Sequence, residues 1–471
     1  MADQELLMTV MELERAVQGS LLANYSSLGG CSSVATDSRK VKAGSLFIPL
    51  MGEVQDGHSY IPQALESGAS VVFVDEAHAR GSSALFAELA KRHEASFIAV
   101  ANTLAALQDA AKAYVERFPR LVKVGITGSS GKTTTKEITA RILGVSRSVV
   151  MNEGNLNSET GLPLSAFSIR DHHEVGIFEL GMNRRGEIHE IARVLRPSIA
   201  LITNVGTAHI GILGSKAAIA EEKKAIFSNF DEGCVALVPE DSEFLGFLSD
   251  IPRGSVRSFG LRSTEGVEGW DDNGLEGSVI RYRGRDIAFG LPGAFNLMNA
   301  VAAIAIANEL GASADDIKSG LESVTALFGR TEVMKGPVTI IRDCYNANPE
   351  SMASAIDFCD SVVWKGKKVY VIGSMLELGD DSASAHRDVC ARLARSSADR
   401  IFLFGDEMTA AGGELLSGDG RVTLAASIEE LRSLVTGECV TGDLVFLKGS
   451  RGMALERVSA ALTEKAEESR K

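Results

Sequence analysis

The stretch Val122-Lys-Val-Gly-Ile-Thr-Gly-Ser-Ser-Gly-Lys-Thr-Thr-Thr-Lys136 joins an apolar run, a glycine-rich turn, a lysine and a row of hydroxyls. The run reads as a strand, and a helical pattern opens at Lys132. That layout is a phosphate-binding loop. Backbone N–H groups of Gly128, Ser129, Ser130 and Gly131, with the helix N-terminus, face an anion. Lys132 neutralises phosphate, and the hydroxyl of Thr133 reaches Mg²⁺. The glycine spacing departs from the usual loop, which has four residues between its first Gly and the Gly-Lys pair. Here five residues separate Gly125 from Gly131, and two separate Gly128 from it. The core from Thr127 through Thr133 to Thr134 still keeps every chemical part, so the chain is expected to bind a nucleoside triphosphate.

Other residues could take part. Glu179 lies in the apolar run Phe178-Glu-Leu180, just before Gly181. A carboxylate there is costly to bury unless paired or bound to a cation. A phosphate loop needs hard oxygen ligands for Mg²⁺, which favours a metal role over a strand-end acid in water. His209, in Thr203-Asn-Val-Gly-Thr-Ala-His-Ile-Gly211, follows another strand; read alone, it fits a polar loop residue as well as a functional one. Lys223 and Lys224, in Ala220-Glu-Glu-Lys-Lys-Ala-Ile-Phe227, read alone as the solvated face of a helix. The cluster Asp343-Cys-Tyr-Asn-Ala-Asn-Pro349 follows a strand-like run and fits either a turn or a site.

These residues need a frame that brings them together. Strand-like runs alternate with helical stretches along most of the chain, which predicts α/β layers with largely parallel sheets. Three domains are expected: an N-terminal α/β domain over 1–102, a central phosphate-loop domain over 103–333, and a Rossmann-like α/β domain over 334–471. Residues 254–293 are Gly-rich with short alternating runs and read as an antiparallel patch on the central sheet. Residues 300–307 read as part of a buried helix. Ligands of open parallel sheets bind beyond the carboxyl ends of the strands. Thr133, Glu179 and His209 follow three central strands, and Asp343 and Tyr345 follow one of the last domain, so a shared cleft is expected.

Composition sets the class. With 471 residues, 45% hydrophobic and 23% charged, the chain has the make-up of a globular protein of about three domains. A net charge of −14 argues against a general nucleic-acid or anionic-membrane binder. No apolar run approaches the ~20 residues of a membrane span. The opening Met1-Ala-Asp-Gln-Glu lacks the basic-then-apolar order of a signal peptide. Six scattered cysteines without metal-ligand pairing predict reduced, mostly buried thiols. A cytoplasmic monomer is expected.

Taken together and in order, these segments resemble the Mur ligases, ATP-dependent amide-bond-forming enzymes of cell-wall precursor synthesis. The loop from Thr127 to Thr133 looks like the family's ATP loop, odd spacing included. Asn155-Leu-Asn-Ser-Glu-Thr-Gly-Leu-Pro163 resembles its next segment, which implies that Asn155, Asn157 and Ser158 lie near the reacting groups. The resemblance implies that Thr133, Glu179 and His209 are Mg²⁺ ligands, and that Lys223 is carbamylated and helps hold a second Mg²⁺. That reverses the solvated reading for Lys223 only. Asn296 and Asn299 look like the nucleotide-base segment, and Arg330 like the family's Arg at the domain junction. Ser38 and Arg39 in Thr36-Asp-Ser-Arg-Lys40, with Gly44-Ser-Leu-Phe-Ile-Pro-Leu-Met-Gly-Glu53, resemble the UDP-sugar domain. The 343–349 cluster is most similar to the motif of ligases that add D-alanyl-D-alanine to UDP-N-acetylmuramoyl-tripeptide. It implies a dipeptide role for Asp343, Tyr345, Asn346 and Asn348. Many relatives carry Glu two residues after the His, where this chain has Gly211. The implied reaction passes through an acyl phosphate, with Lys132, Lys223 and His209 as the catalytic set. The alternatives are a relative that adds a single amino acid, or a phosphate-loop kinase or NTPase.

Overall fold

The computed structural model describes residues 5–52 and 55–468. The acidic start over 1–4, and Glu53 at the end of the second N-terminal motif, lie outside the described residues.

Three open sheets dominate, each largely parallel as expected. The N-terminal sheet runs Ser20–Asn24, Ser96–Val100, Ala69–Asp75, Ser45–Phe47, Ser33–Ala35, antiparallel only at its first pair. Ala69–Asp75 is buried along nearly its whole length, as the continuous apolar run of a sheet covered on both faces requires. The central sheet runs Ser255–Phe259, Val235–Pro239, Ile199–Ile202, Val122–Thr127, Val175–Glu179, Val149–Met151, all parallel. The chain fills the sheet on one side of Val122–Thr127, then crosses to Ile199–Ile202 on the other. That reversal makes the carboxyl end of Val122–Thr127 the switch point where such sheets bind ligands. The C-terminal sheet runs Glu332–Met334, Thr339–Asp343, Leu444–Lys448, Lys368–Gly373, Arg400–Phe404, Val422–Ala425, antiparallel only at its first pair.

Two sequence expectations change. The 254–293 segment is not one antiparallel patch. Ser255–Phe259 is the parallel edge of the central sheet, and only Val267–Asp272, Ser278–Tyr282 and Arg285–Phe289 form a separate antiparallel sheet. Its inner residues Ile280, Tyr282, Ile287 and Phe289 join the core around the buried helix Ala294–Glu309. The expected break at 333 falls inside Glu332–Met334, which already pairs with the C-terminal sheet. The Asn102 side chain caps the helix Thr103–Val115.

The two seams between domains differ in chemistry. One apolar cluster runs from Leu7, Leu46 and Phe73 through Leu107 and Ala111 of that helix to Phe178 and Ile188 of the central domain. The C-terminal domain keeps its own cores on either face of its sheet. It meets the central domain through polar side chains and through Leu275 and Phe295, which pack against one of these cores, with Phe295 edge-on to Phe358. All six cysteines are buried and free.

In the N-terminal domain Asp56 bridges two stacked histidines. His58 Nδ1 lies 2.8 Å and His78 Nε2 2.7 Å from its two oxygens, with ring centroids 3.8 Å apart. The Asp75 N–H donates to His58 Nε2 at 3.0 Å. That nitrogen must therefore be the acceptor, so Nδ1 carries the proton and donates to Asp56. A proton at Nδ1 makes this trio a hydrogen-bonded brace rather than a metal site. Burial holds the His58 pKa below its ordinary value against the pull of Asp56, and His78 beside it adds to the fall. A lowered folded-state pKa means stability that is full above the unfolded value of about 6.5 and lost as pH falls below it. Acidification from pH 7.5 to 5.5 should lower the melting midpoint more in the parent protein than in His58→Asn. Equal drops would mean that the brace does not titrate.

Candidate active site

The phosphate loop is held from behind. Thr127 is fully buried and donates its hydroxyl to Leu180 O at 2.8 Å, so it ties two strands together rather than lining the cleft. The Ser129 N–H donates to Asn204 O at 3.1 Å and the Ser130 N–H to Asn204 Oδ1 at 3.0 Å. Thr203 Oγ1 donates to Ser130 O at 2.6 Å. Gly131, at φ 78°, is the N-cap of the helix Lys132–Leu143 and brings no capping side chain. The helix therefore opens with uncapped N–H groups and the positive end of its dipole toward the cleft. Lys132 Nζ folds back onto Gly128 O at 2.8 Å. Burial pushes its amine below the usual lysine value; Glu179 opposes this and Arg330 adds to it.

Glu179 closes the next strand, 2% exposed. Its Oε2 accepts from Thr133 Oγ1 and its Oε1 from Asn157 Nδ2, both at 2.6 Å. Asn152 fixes the backbone beneath: its Oδ1 accepts the Glu179 N–H at 2.9 Å and its Nδ2 donates to Glu179 O at 3.1 Å. The fully buried Lys136, one turn beyond Lys132, donates to Asn152 O. The Thr133 hydroxyl and a Glu179 oxygen, side by side, are the hard-oxygen pair a Mg²⁺ site needs. Arg330 donates to Thr133 Oγ1 at 3.0 Å and puts a positive charge there. The donor set fits the cation.

His209, at φ 64°, follows the third strand. Its Nδ1 is shut off from solvent with no hydrogen-bond partner, although Glu377 Oε2 of the C-terminal domain is 3.4 Å away. Burial, then the charges of Lys132 and Lys223, push its pKa down to about 4. A neutral ring with an unused buried nitrogen is ready for a cation. Lys223 lies beneath the cleft and is 1% exposed, not on a solvated face. Its neighbour Glu222 is committed to the N–H groups of Gly186 and Ile188 at 2.7 and 2.9 Å. Burial and the charge of Lys132 hold the Lys223 amine well below its usual pKa, with Glu222 only partly offsetting them. Lys224 instead points its amine at the Phe247 ring.

The C-terminal domain forms the facing wall. Asp343 accepts from Lys448 Nζ at 2.6 Å and from the Thr331 N–H at 3.1 Å. The Arg330 guanidinium lies over the Tyr345 ring at 4.2 Å. Asn346 is exposed in the cleft, whereas Asn348 is buried, caps the helix Pro349–Ser361, and donates to Ser129 O at 3.4 Å.

One cleft of about 770 Å³ is lined by Ser129, Ser130, Gly131, Lys132, Thr133 and Thr134, with Asn155, Asn157, Glu179 and His209. Arg330, Asp343, Tyr345, Asn346 and Asn348 line it too, as do Asn296 and Asn299. Asn299 Oδ1 accepts from Thr135 and abuts Gly131, so it also supports the loop. Ser158 lies just outside, accepting the Gly161 N–H. Ser38 and Arg39 are not in this lining: Ser38 bonds Gln63, and the exposed Arg39 pairs with Asp37 within the N-terminal domain. Sequence reasoning missed Lys136, Asn152, Asn204, Glu350 and Glu377. Asn204 alone had a signal, its place in the strand-end segment that leads to His209.

The chain matches three family models: the Mur ligase family catalytic domain over residues 31–115, the Mur ligase middle domain over 126–307, and the Mur ligase glutamate ligase domain over 329–451. It is 45% identical to the UDP-N-acetylmuramoyl-tripeptide–D-alanyl-D-alanine ligase of Treponema pallidum, over 97% of this chain and 99% of that one. It is 34% identical to the ligase of the same name from Bacillus subtilis, over 97% and 98%. A crystal structure of MurF from Acinetobacter baumannii superposes with a TM-score of 0.85 at 30% identity, covering 97% and 98%. A MurF ligase from Thermotoga maritima in complex with ADP gives 0.79 at 26% identity, covering 93% and 98%.

Gly131 gives a direct test of the loop. At φ 78° a β-carbon is strained by about 1–2 kcal/mol, and it would also lie 2.2 Å from Asn299 Oδ1. Gly131→Ala should weaken ATP binding by about tenfold or more in calorimetry. Unchanged affinity would show that the loop does not grip the nucleotide in this form.

Proposed function

The chain belongs to the Mur ligase family, and on that premise we propose that it joins D-alanyl-D-alanine to UDP-N-acetylmuramoyl-tripeptide, splitting ATP to ADP and phosphate. The product is the UDP-linked pentapeptide used to build peptidoglycan. The observation that carries this reading is the single cleft in which the phosphate loop faces Tyr345 and Asn346 of the last domain. With substrates of this kind and ATP, the enzyme works in the cytoplasm.

A carboxylate does not condense with an amine in water, because its oxygen is a poor leaving group. Here a carboxylate oxygen of the tripeptide attacks the γ-phosphorus of ATP, and the bond to the β–γ bridging oxygen breaks to release ADP. The amine of the dipeptide then attacks the acyl carbon, loses a proton, and expels phosphate. Positioning and charge stabilisation supply most of the acceleration. Lys132 and the helix N-terminus hold the transferred phosphoryl group, and Arg330 turns from Thr133 toward the same charge. Thr133 and Glu179 would hold one Mg²⁺, and His209 a second. When bound, Mg²⁺ neutralises phosphate charge and aligns the oxygens. Asn155 and Asn157 face the reacting carboxylate, with Ser158 behind them. Asn296 and Asn299 flank the nucleotide. Asn346, whose Oδ1 accepts the Ala347 N–H, keeps its Nδ2 for the dipeptide, whereas Asn348 and Asp343 hold the wall in shape. Ser38 and Arg39 serve the UDP end, away from the reaction.

Lys223 is carbamylated in this reading. A buried amine held neutral can attack CO₂, lose a proton, and become an anionic oxygen ligand beside His209. The support is its burial, its lowered pKa and the absence of any hydrogen-bond or ion-pair partner among the described residues.

Phosphate release should require ATP, the UDP-tripeptide and the dipeptide together. Equal turnover with single amino acids would instead favour a relative that adds one residue, and release without an acceptor would favour an NTPase. Lys132→Ala should cut ligation at least about a hundredfold. Lys223→Ala should lose activity and regain part of it with short carboxylic acids. The parent protein under ¹³CO₂ should show a carbamate carbon resonance that Lys223→Ala lacks; its absence from both would remove the carbamate.

A further inference from the structure

Glu350, in the first turn of the helix Pro349–Ser361, has no part in the chemistry above. An acid at that position is ordinary, since it suits the helix dipole. A merely dipolar acid would point into water. This one is half-buried and reaches across the polar seam to the loop after Ile199–Ile202. Its Oε1 accepts the Thr207 N–H and its Oε2 the Thr207 hydroxyl, both at 2.8 Å. Charge-assisted bonds of this kind are the stronger class. The fit leaves no slack: a β-carbon on Gly206 would lie 2.9 Å from the Glu350 carboxyl carbon.

The contact belongs to a closed ring. The Gly206 N–H donates to Ser129 Oγ at 2.8 Å, and Asn348 Nδ2 donates to Ser129 O at 3.4 Å. From Asn348 the ring runs to Ser129, Gly206, Thr207 and Glu350, and one residue of helix closes it. Ser129 lies on the phosphate loop. Thr207 is two residues before His209. Asn348 and Glu350 belong to the domain that receives the dipeptide.

We propose that Glu350 is a positioning residue that transmits docking of the dipeptide domain to the phosphate loop and to His209. With the domain apart, Thr207 and Glu350 are each hydrated, and the loop can still capture ATP. With the domain docked, two bonds fix Thr207, Gly206 locks onto Ser129, and His209 is set for the phosphoryl transfer. Glu350 thus acts on the chemical step and not on nucleotide capture. What the ordered loop does next rests on the ligase reading above.

Full-length Glu350→Ala, Thr207→Val and the double variant separate these roles. Each single change should lower kcat about tenfold or more, leave the Kd for ATP alone within about twofold, and combine without further loss. Glu350→Gln keeps one acceptor and should recover part of the rate. Wild-type kcat in Glu350→Ala, additive losses, or an ATP Kd that worsens as much as kcat falls would overturn the proposal. A second readout needs no turnover. Amide exchange at Thr207 should quicken about tenfold in Glu350→Ala, and unchanged exchange would overturn the ring itself. If the parent protein exchanges as expected yet releases no phosphate with the dipeptide, the ligase reading fails and the ring stands.

Discussion

Like charges crowd the floor of the cleft. Lys132 and Arg330 converge there beside the buried Lys223 amine: Arg330 lowers the pKa of Lys132, and Lys132 lowers those of Lys223 and His209. The buried Glu179 opposes them at Lys132, and the buried Glu222 does so in part at Lys223. Such a cluster is unfavourable until a polyanion enters it, and this is what ATP brings. Much of the local architecture exists to hold these groups together despite their repulsion. Asn204 pins the loop, Asn152 pins Glu179, and Lys136 pins Asn152.

The two seams of the molecule divide the remaining work. The N-terminal and central domains share one apolar core, so the N-terminal domain and the phosphate loop keep a fixed relation. The C-terminal domain joins through hydrogen bonds that Arg330 and Asn348 donate and Glu350 accepts, and through the approach of Glu377 to His209. Polar seams exchange readily for water, so this domain is the one able to swing away and admit substrates. Its return excludes water from an acyl phosphate that water would destroy. Gly211 lies against Gly379 of the docked domain with no room for a side chain.

What could be read from the sequence follows from locality. The phosphate loop and Glu179 were legible because each closes an apolar strand, and strand ends in parallel sheets converge; His209, read alone, fitted a loop residue equally well. The resemblance to the Mur ligases extended that frame to Lys223, whose own pattern pointed to solvent. Ser255–Phe259 was misjudged because a short run between glycines looks alike in a hairpin and at a sheet edge; only the free edge of Val235–Pro239 decides it. Nothing in the local pattern marks Lys136, one turn past the loop, as buried. Glu350 sits in the first turn of a helix, and its partner lies 143 residues away in the chain. No local pattern encodes a contact of that range.

This cleft activates the tripeptide carboxylate by moving phosphate onto it, and oxygen labelling makes that transfer visible. With ¹⁸O in the terminal carboxylate of the acceptor, released phosphate should carry one ¹⁸O atom for each amide bond formed, because the former carboxylate oxygen leaves with the phosphoryl group. Unlabelled phosphate accompanying amide formation would rule the transfer out.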